Sequence, residues 1–154
     1  MEISSQVRRG VDTRADANAI YALLADVGRS VAHFPDLESI VERGGAWYWT
    51  FHKLGAGPFT FQVSYANRYF MDPAARRVWW EAVPGFGNTL ISGQWVIEPH
   101  RFTMEARFAL QTPFPRISRA PVEAIVQHEN ERLINAYLHN LVTTLHGGDG
   151  RVRR

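Results

Sequence analysis

Glu129 is the side chain best placed for chemistry in this sequence. Ile125 and Val126 lie four and three residues before it, and Leu133 and Ala136 four and seven after, which on an α-helix sets its carboxylate on or beside the apolar face. A carboxylate there is desolvated, and its pKa rises unless a cation pairs with it. The functional reading is a ligand-orienting acceptor or a general acid/base. The alternative is a position at the edge of the stripe, paired with Arg132 or open to water. Asn67 and Tyr69 continue the alternation of Phe61, Val63 and Tyr65. With Tyr65 they offer the few polar groups that orient an apolar ligand. A bulge in that strand would instead turn Arg68 inward.

Other chemistries lack their residues. The absence of cysteine removes disulfides, Cys-based zinc sites, iron–sulfur clusters and thiol catalysis. His128, His139 and His146 stand eleven and seven residues apart on one predicted helix. That is about 16 and 10 Å by helical rise, too far to share a metal ion. No metal and no cofactor is expected. Ser92-Gly93 lies in mid-strand and not in the strand-to-helix elbow of a serine hydrolase. Gly85-Phe86-Gly87 is a hairpin turn and no phosphate loop, because no helix follows it. Trp79 faces outward if Trp80 faces inward, either touching a membrane surface or partner beside Phe86 or packing on Tyr48 or another outer aromatic.

The elements that must carry these residues follow from charge and period. The chain has 154 residues and a formal charge of +2. Arg151, Arg153 and Arg154 against Asp149 account for all of that charge. Residues 1–146 therefore read as one balanced domain, and 147–154 as a flexible basic tail. The remaining arginines (Arg8/Arg9, Arg76/Arg77, Arg116/Arg119, Arg132) are scattered, whereas nucleic-acid surfaces gather them on one face. No nucleic-acid partner is expected. No apolar run reaches the eighteen or so residues of a membrane span, and the first residues lack a signal core. A cytoplasmic protein without stable membrane insertion is expected, its oligomeric state open.

The first predicted strand is Ser4–Val11. Cap residues Asp12–Asp16 precede an amphipathic helix with Ile20, Leu23, Leu24 and Val27 at helical spacing. Gly28 ends that helix, and a second short one, Ser30–Phe34, stops at Pro35. From Leu37 to Leu110 the period becomes two. Predicted strands are Leu37–Glu42, Ala46–Leu54, Phe59–Phe70, Arg77–Val83, Thr89–Glu98 and Phe102–Leu110, joined by turns such as Gly44-Gly45 and Asp72-Pro73. Beyond Pro113-Phe114-Pro115 one helix runs from about Pro121 to Leu145. Six consecutive strands on short turns make an antiparallel meander with one dry face.

This order resembles the helix-grip superfamily of START-like, Bet v 1-like and polyketide cyclase/dehydrase or lipid-transport domains (SRPBCC). Three segments carry the likeness: Ala17–Val27 followed by Phe34-Pro35-Asp36-Leu37, then Ser92–Pro99, then the proline-led helix from Pro113 to Leu145. The resemblance implies an α+β fold in which a seven-stranded antiparallel sheet curves around a long terminal helix, with two short helices between strands one and two. It also implies an elongated apolar cavity between sheet and helix. Met71-Asp72-Pro73-Ala74 is similar to the aromatase/cyclase branch, for which the resemblance implies an inward guanidinium. Here Tyr69 takes the inward parity and Arg68 the outward one, a departure from that pattern.

The residues that would line such a cavity are Trp47, Trp49, Phe51, Phe61, Val63, Tyr65, Asn67, Trp80, Trp95, Met104 and Phe108 from the sheet, with Val126, Glu129, Leu133 and Tyr137 from the helix. The leading expectation is binding or transport of a hydrophobic small molecule: a lipid, an isoprenoid or quinone, or an aromatic polyketide. One alternative is a polyketide cyclase or dehydratase using Glu129 or Tyr65 as acid/base. Another is a protein-interaction module whose cavity is filled by its own aromatics.

Overall fold

The computed structural model describes residues 1–147. Strands β1 (Glu2–Asp12), β2 (Leu37–Arg43), β3 (Ala46–Phe51), β6 (Ser64–Asp72), β7 (Arg77–Val83), β8 (Thr89–Glu98) and β9 (Arg101–Gln111) form one sheet. Two short strands, β4 (Leu54–Ala56) and β5 (Phe59–Phe61), pair only with each other. Helices α1 (Ala17–Ala25) and α2 (Val27–Val31) separate β1 from β2, and α3 (Arg119–Leu145) closes the chain. The sheet order β1-β9-β8-β7-β6-β3-β2 joins the first strand to the last. All its pairings are antiparallel, and the β1–β9 pairing runs without a slip from Glu2↔Gln111 to Asp12↔Arg101. This is the helix-grip α+β architecture. No described helix is long and apolar enough to cross a membrane.

Several expected boundaries move, the second short helix among them: it spans Val27–Val31 and not Ser30–Phe34. Three of the shifts have a clear local reason. Asp26, not Gly28, separates the first two helices: it follows the last residue of α1, and its carboxylate accepts the Arg29 N–H at the start of α2. An N-cap carboxylate satisfies an otherwise orphaned helical donor, so Gly28 lies inside α2. The expected strand Ala46–Leu54 stops at Phe51. With Trp47, Trp49 and Phe51 facing inward, continued alternation would bury Lys53 and expose Leu54. The break reverses this, leaving Lys53 exposed and Leu54 buried.

The expected strand Phe59–Phe70 is likewise divided, at Gln62-Val63, without a change of parity. Side chains bridge the gap. Asn88 accepts from the Ser64 N–H and donates to the Gln62 carbonyl, and the Gln62 amide donates to the Phe51 carbonyl. The predicted basic tail lies outside the described residues except for Gly147.

The core has two lobes. One gathers Trp49, Phe51, Phe61 and Tyr65 under Val122, Val126 and Leu133 of α3. The other gathers Trp80, Trp95, Phe102 and Met104 under Tyr137, Leu138 and Leu141, with Ile20, Leu23 and Leu24 of α1.

Candidate functional site: a cavity between sheet and helix

The two lobes do not meet everywhere. Between them lies a cavity of about 110 Å³. For scale, an engineered apolar cavity of roughly 150 Å³ holds benzene. Strand β3 supplies Trp49 and Phe51 to its wall, and the chain from β5 into β6 supplies Phe61, Val63, Tyr65, Asn67 and Tyr69. Trp80, Trp95, Met104 and Phe108 come from β7 to β9, and Val126, Glu129, Leu133 and Tyr137 from α3.

Of the residues nominated from sequence, Trp47 alone does not line the cavity. It shares the inward face, opposite Asn67, but its ring reaches Gly28, ending 3.5 Å from where a Cβ there would sit. The indole thus lies against α2 at Gly28.

The walls are flat rings. Trp49 stacks on Tyr65 at 5.2 Å and 21° and on Phe51 at 6.2 Å and 14°. Phe34, from the α2–β2 loop, lies on Tyr137 at 3.7 Å and 10° and meets Trp49 and Phe51 edge-on. Sequence reasoning missed Phe34 as a wall residue because a loop position has no periodicity to assign it a face. It also missed Ile91, Ile134 and Asn130, all of which line the space. The strand parity of Ile91 was a usable signal. The polarity of Asn130, beside Glu129, concealed it.

The polar groups fall into three sets. Asn67 is buried, and its Oδ1 accepts the Trp49 Nε1–H at 2.9 Å. A hydrogen bond with Asn67 lowers the Tyr69 pKa slightly, but burial raises it more. Burial also lifts Tyr65 and Tyr137 well above the usual phenol range, and the Tyr137 hydroxyl is hydrogen-bonded to Ser30 Oγ at 2.6 Å. All three phenols therefore stay protonated at neutral pH, as hydrogen-bond donors and neither bases nor ready acids. Arg68 is exposed and donates to the Gly44 carbonyl, so no bulge turns it inward.

At the rim, Glu129 both borders the cavity and pairs with Arg132. Its side chain is 13% exposed and lines the cavity, while its Oε2 accepts from Arg132 Nη2 at 2.6 Å. Arg132 also reaches Asp36 Oδ2 at 2.7 Å, which pushes the guanidinium pKa further up, Glu129 contributing most. Asp36 holds a left-handed backbone, φ 60°, uncommon for a residue other than glycine. The three groups fasten the α2–β2 turn to the middle of α3.

Elsewhere, Trp79 is half-buried on the outer face. It stacks on Phe70 at 5.5 Å with Arg77 over its ring, while Tyr48 meets Phe86 instead. The described histidines are used structurally where they have partners. His33 links to Thr144, and His146 to Thr13 and the Arg14 N–H.

No protein-family model matches the chain, and no curated protein matches it in sequence. Solved structures do match in shape. TTHA0849 from Thermus thermophilus superposes with a TM-score of 0.71 at 18% identity, covering 93% of this chain and 98% of that one. The ZhuI aromatase/cyclase from Streptomyces sp. R1128 gives a TM-score of 0.63 at 22% identity, over 95% and 99% of the two chains. A START superfamily protein from Mycobacterium smegmatis gives 0.57 at 14% identity, over 91% and 98%. The chain thus has the helix-grip fold of the START-like proteins. Identities this low speak for the fold alone.

Proposed function

We propose that this protein binds a compact hydrophobic small molecule in the cavity between the sheet and α3, as a cytoplasmic carrier or sensor. The supporting observation is an apolar space walled by flat aromatic rings that its own side chains leave unfilled. Apolar burial drives such binding at about 25 cal/mol per Å², and a few polar groups set orientation. A volume near that of one ring favours an aromatic or quinone-like ligand over a long acyl chain.

A cyclase or dehydratase reading draws on the likeness to ZhuI. The pairing of Glu129 with Arg132 and the raised phenol pKa values weigh against it, since efficient general acid/base groups titrate near the working pH. Native mass spectrometry of freshly purified protein, followed by organic extraction, tests the binding reading. A stoichiometric apolar molecule supports it. A clean apo mass with no uptake of an environment-sensitive dye contradicts it and turns attention to the outer face.

A further inference from the structure

One end of the molecule gathers apolar side chains and cations from two stretches that contain no acid. The chain has no acidic residue between Glu42 and Asp72, and none between Glu105 and Glu123. The fold packs parts of these two stretches together. The β4–β5 hairpin meets the segment leading into α3 through Phe59 and Phe114, edge-on at 5.4 Å, and α3 lies against β4. Ala56, Pro58, Pro115 and Ile117 are exposed there, with the cations Lys53 and Arg116. Residues 1–146 are balanced in charge, so the excess of cations is local.

Ile117 is 92% exposed, about twice the next large apolar side chains of the described residues, Val41 and Leu90 at 44%. Its backbone is held: the Ser118 N–H donates to the Pro115 carbonyl at 2.9 Å, and Pro113, Pro115 and Pro121 restrict the turn. Arg119 is paired with Glu123. Arg116 and Lys53 have no ion pair or side-chain hydrogen bond among the described residues. A single exposed isoleucine needs no explanation. Set in a stiff, acid-free turn beside unpaired cations, it has the makeup of an interfacial anchor, whose apolar side chain enters the acyl boundary while cations meet lipid phosphates. An acidic protein would satisfy the cations, but a side chain this exposed has no walls around it to receive a partner's. A bilayer needs none.

We propose that this tip docks the protein reversibly on an anionic membrane surface, with Ile117 entering the interface and Arg116 and Lys53 meeting lipid phosphates. Leu54 and Phe61 of the same hairpin line the cavity, so docking brings the cavity wall to the bilayer. The docking itself does not depend on what the cavity holds.

The test is flotation of the full chain with vesicles of phosphatidylcholine alone, and of phosphatidylcholine and phosphatidylglycerol in equal parts. Binding is expected only to the mixed vesicles, and it should fall in about 1 M salt, where screening reaches about 3 Å. Arg116→Ser should weaken it about fivefold and Ile117→Ser about tenfold. Thermal melting should not change, because both side chains are exposed. The chain has no cysteine, so Ile117→Cys accepts a single environment-sensitive label. Its emission should shift to the blue on mixed vesicles, while that of a label at Leu90→Cys should not. Equal binding by the wild type and both serine variants, as when Arg151, Arg153 and Arg154 carry it alone, overturns the proposal. So does a wild type that fails to float with mixed vesicles. Binding of soluble polyglutamate that matches the vesicles in affinity and is indifferent to Ile117→Ser assigns the tip to an acidic protein and overturns the lipid reading.

Discussion

At the scale of single residues, Tyr137 links the wall of the cavity to the frame of the fold. Its ring stacks on Phe34, and its hydroxyl meets the buried Ser30 of α2 at 2.6 Å. Tyr137→Phe keeps the ring and strands the Ser30 hydroxyl, so denaturant unfolding should show a loss of about 1 kcal/mol. Adding Ser30→Ala should recover part of that loss, because the stranded group is then gone. Gly93 is fixed by close approach. A Cβ there would lie 2.4 Å from the Glu105 carbonyl oxygen and 2.7 Å from the Trp80 ring. Gly93→Ala should cost about 1–3 kcal/mol by overpacking, with a shift in Trp80 fluorescence as the indole moves.

At the scale of elements, the α2–β2 connection decides how α3 closes over the sheet. Phe34 plugs one side of the cavity, and Asp36 fastens the turn to Arg132. Phe34→Ala should destabilise by about 2–3 kcal/mol, less than a fully buried phenylalanine because Phe34 is half-buried. It should also widen the cavity, so that two-ring probes bind which the wild type refuses. Arg132→Gln should cost under about 1 kcal/mol, since the guanidinium is 42% exposed and solvent screens the pair. Its larger effect should be faster ligand release, read by stopped-flow displacement.

These elements also mark what a sequence can and cannot disclose. Strand parity placed Trp49, Tyr65, Asn67, Trp80, Trp95, Met104 and Phe108 on the inner face, because alternation is a period-two property that survives small boundary errors. The same rule misread Leu54, where the cost of burying Lys53 broke the strand. It was silent on Phe34 and Asp36, whose positions come from a loop conformation set by tertiary contacts. Glu129 was legible as inward or paired, whereas the second carboxylate on Arg132, Asp36, is far off in sequence and was not. Asn130 was invisible for another reason: nothing in a helical pattern marks an amide that will border a cavity.

At the scale of the whole molecule, the sheet is completed only when β1 pairs with β9 across nearly the full domain. Stability is then a property of the closed unit, and its alkaline limit follows from the buried phenols. Tyr65, Tyr69 and Tyr137 keep their protons above the usual phenol range, while the unfolded chain loses them near pH 10. Their contribution is fully present below about pH 10 and is lost as pH rises further. Each phenol should remove about 1.4 kcal/mol of stability per pH unit in that window. Denaturant titrations between about pH 9 and 12 should show this steepening, with phenolate absorbance of the three rising only as the protein unfolds.

The proposed function requires that a small molecule enter the space between sheet and helix. An isotope-filtered NOE spectrum of the ¹³C-labelled protein with unlabelled cumene tests it most directly. The prediction is a set of intermolecular NOEs to the methyl groups of Val126 and Leu133 and to the Trp95 ring, all lining the cavity. NOEs confined to Phe70 and Leu90, which are exposed, or none at saturating cumene, would contradict it.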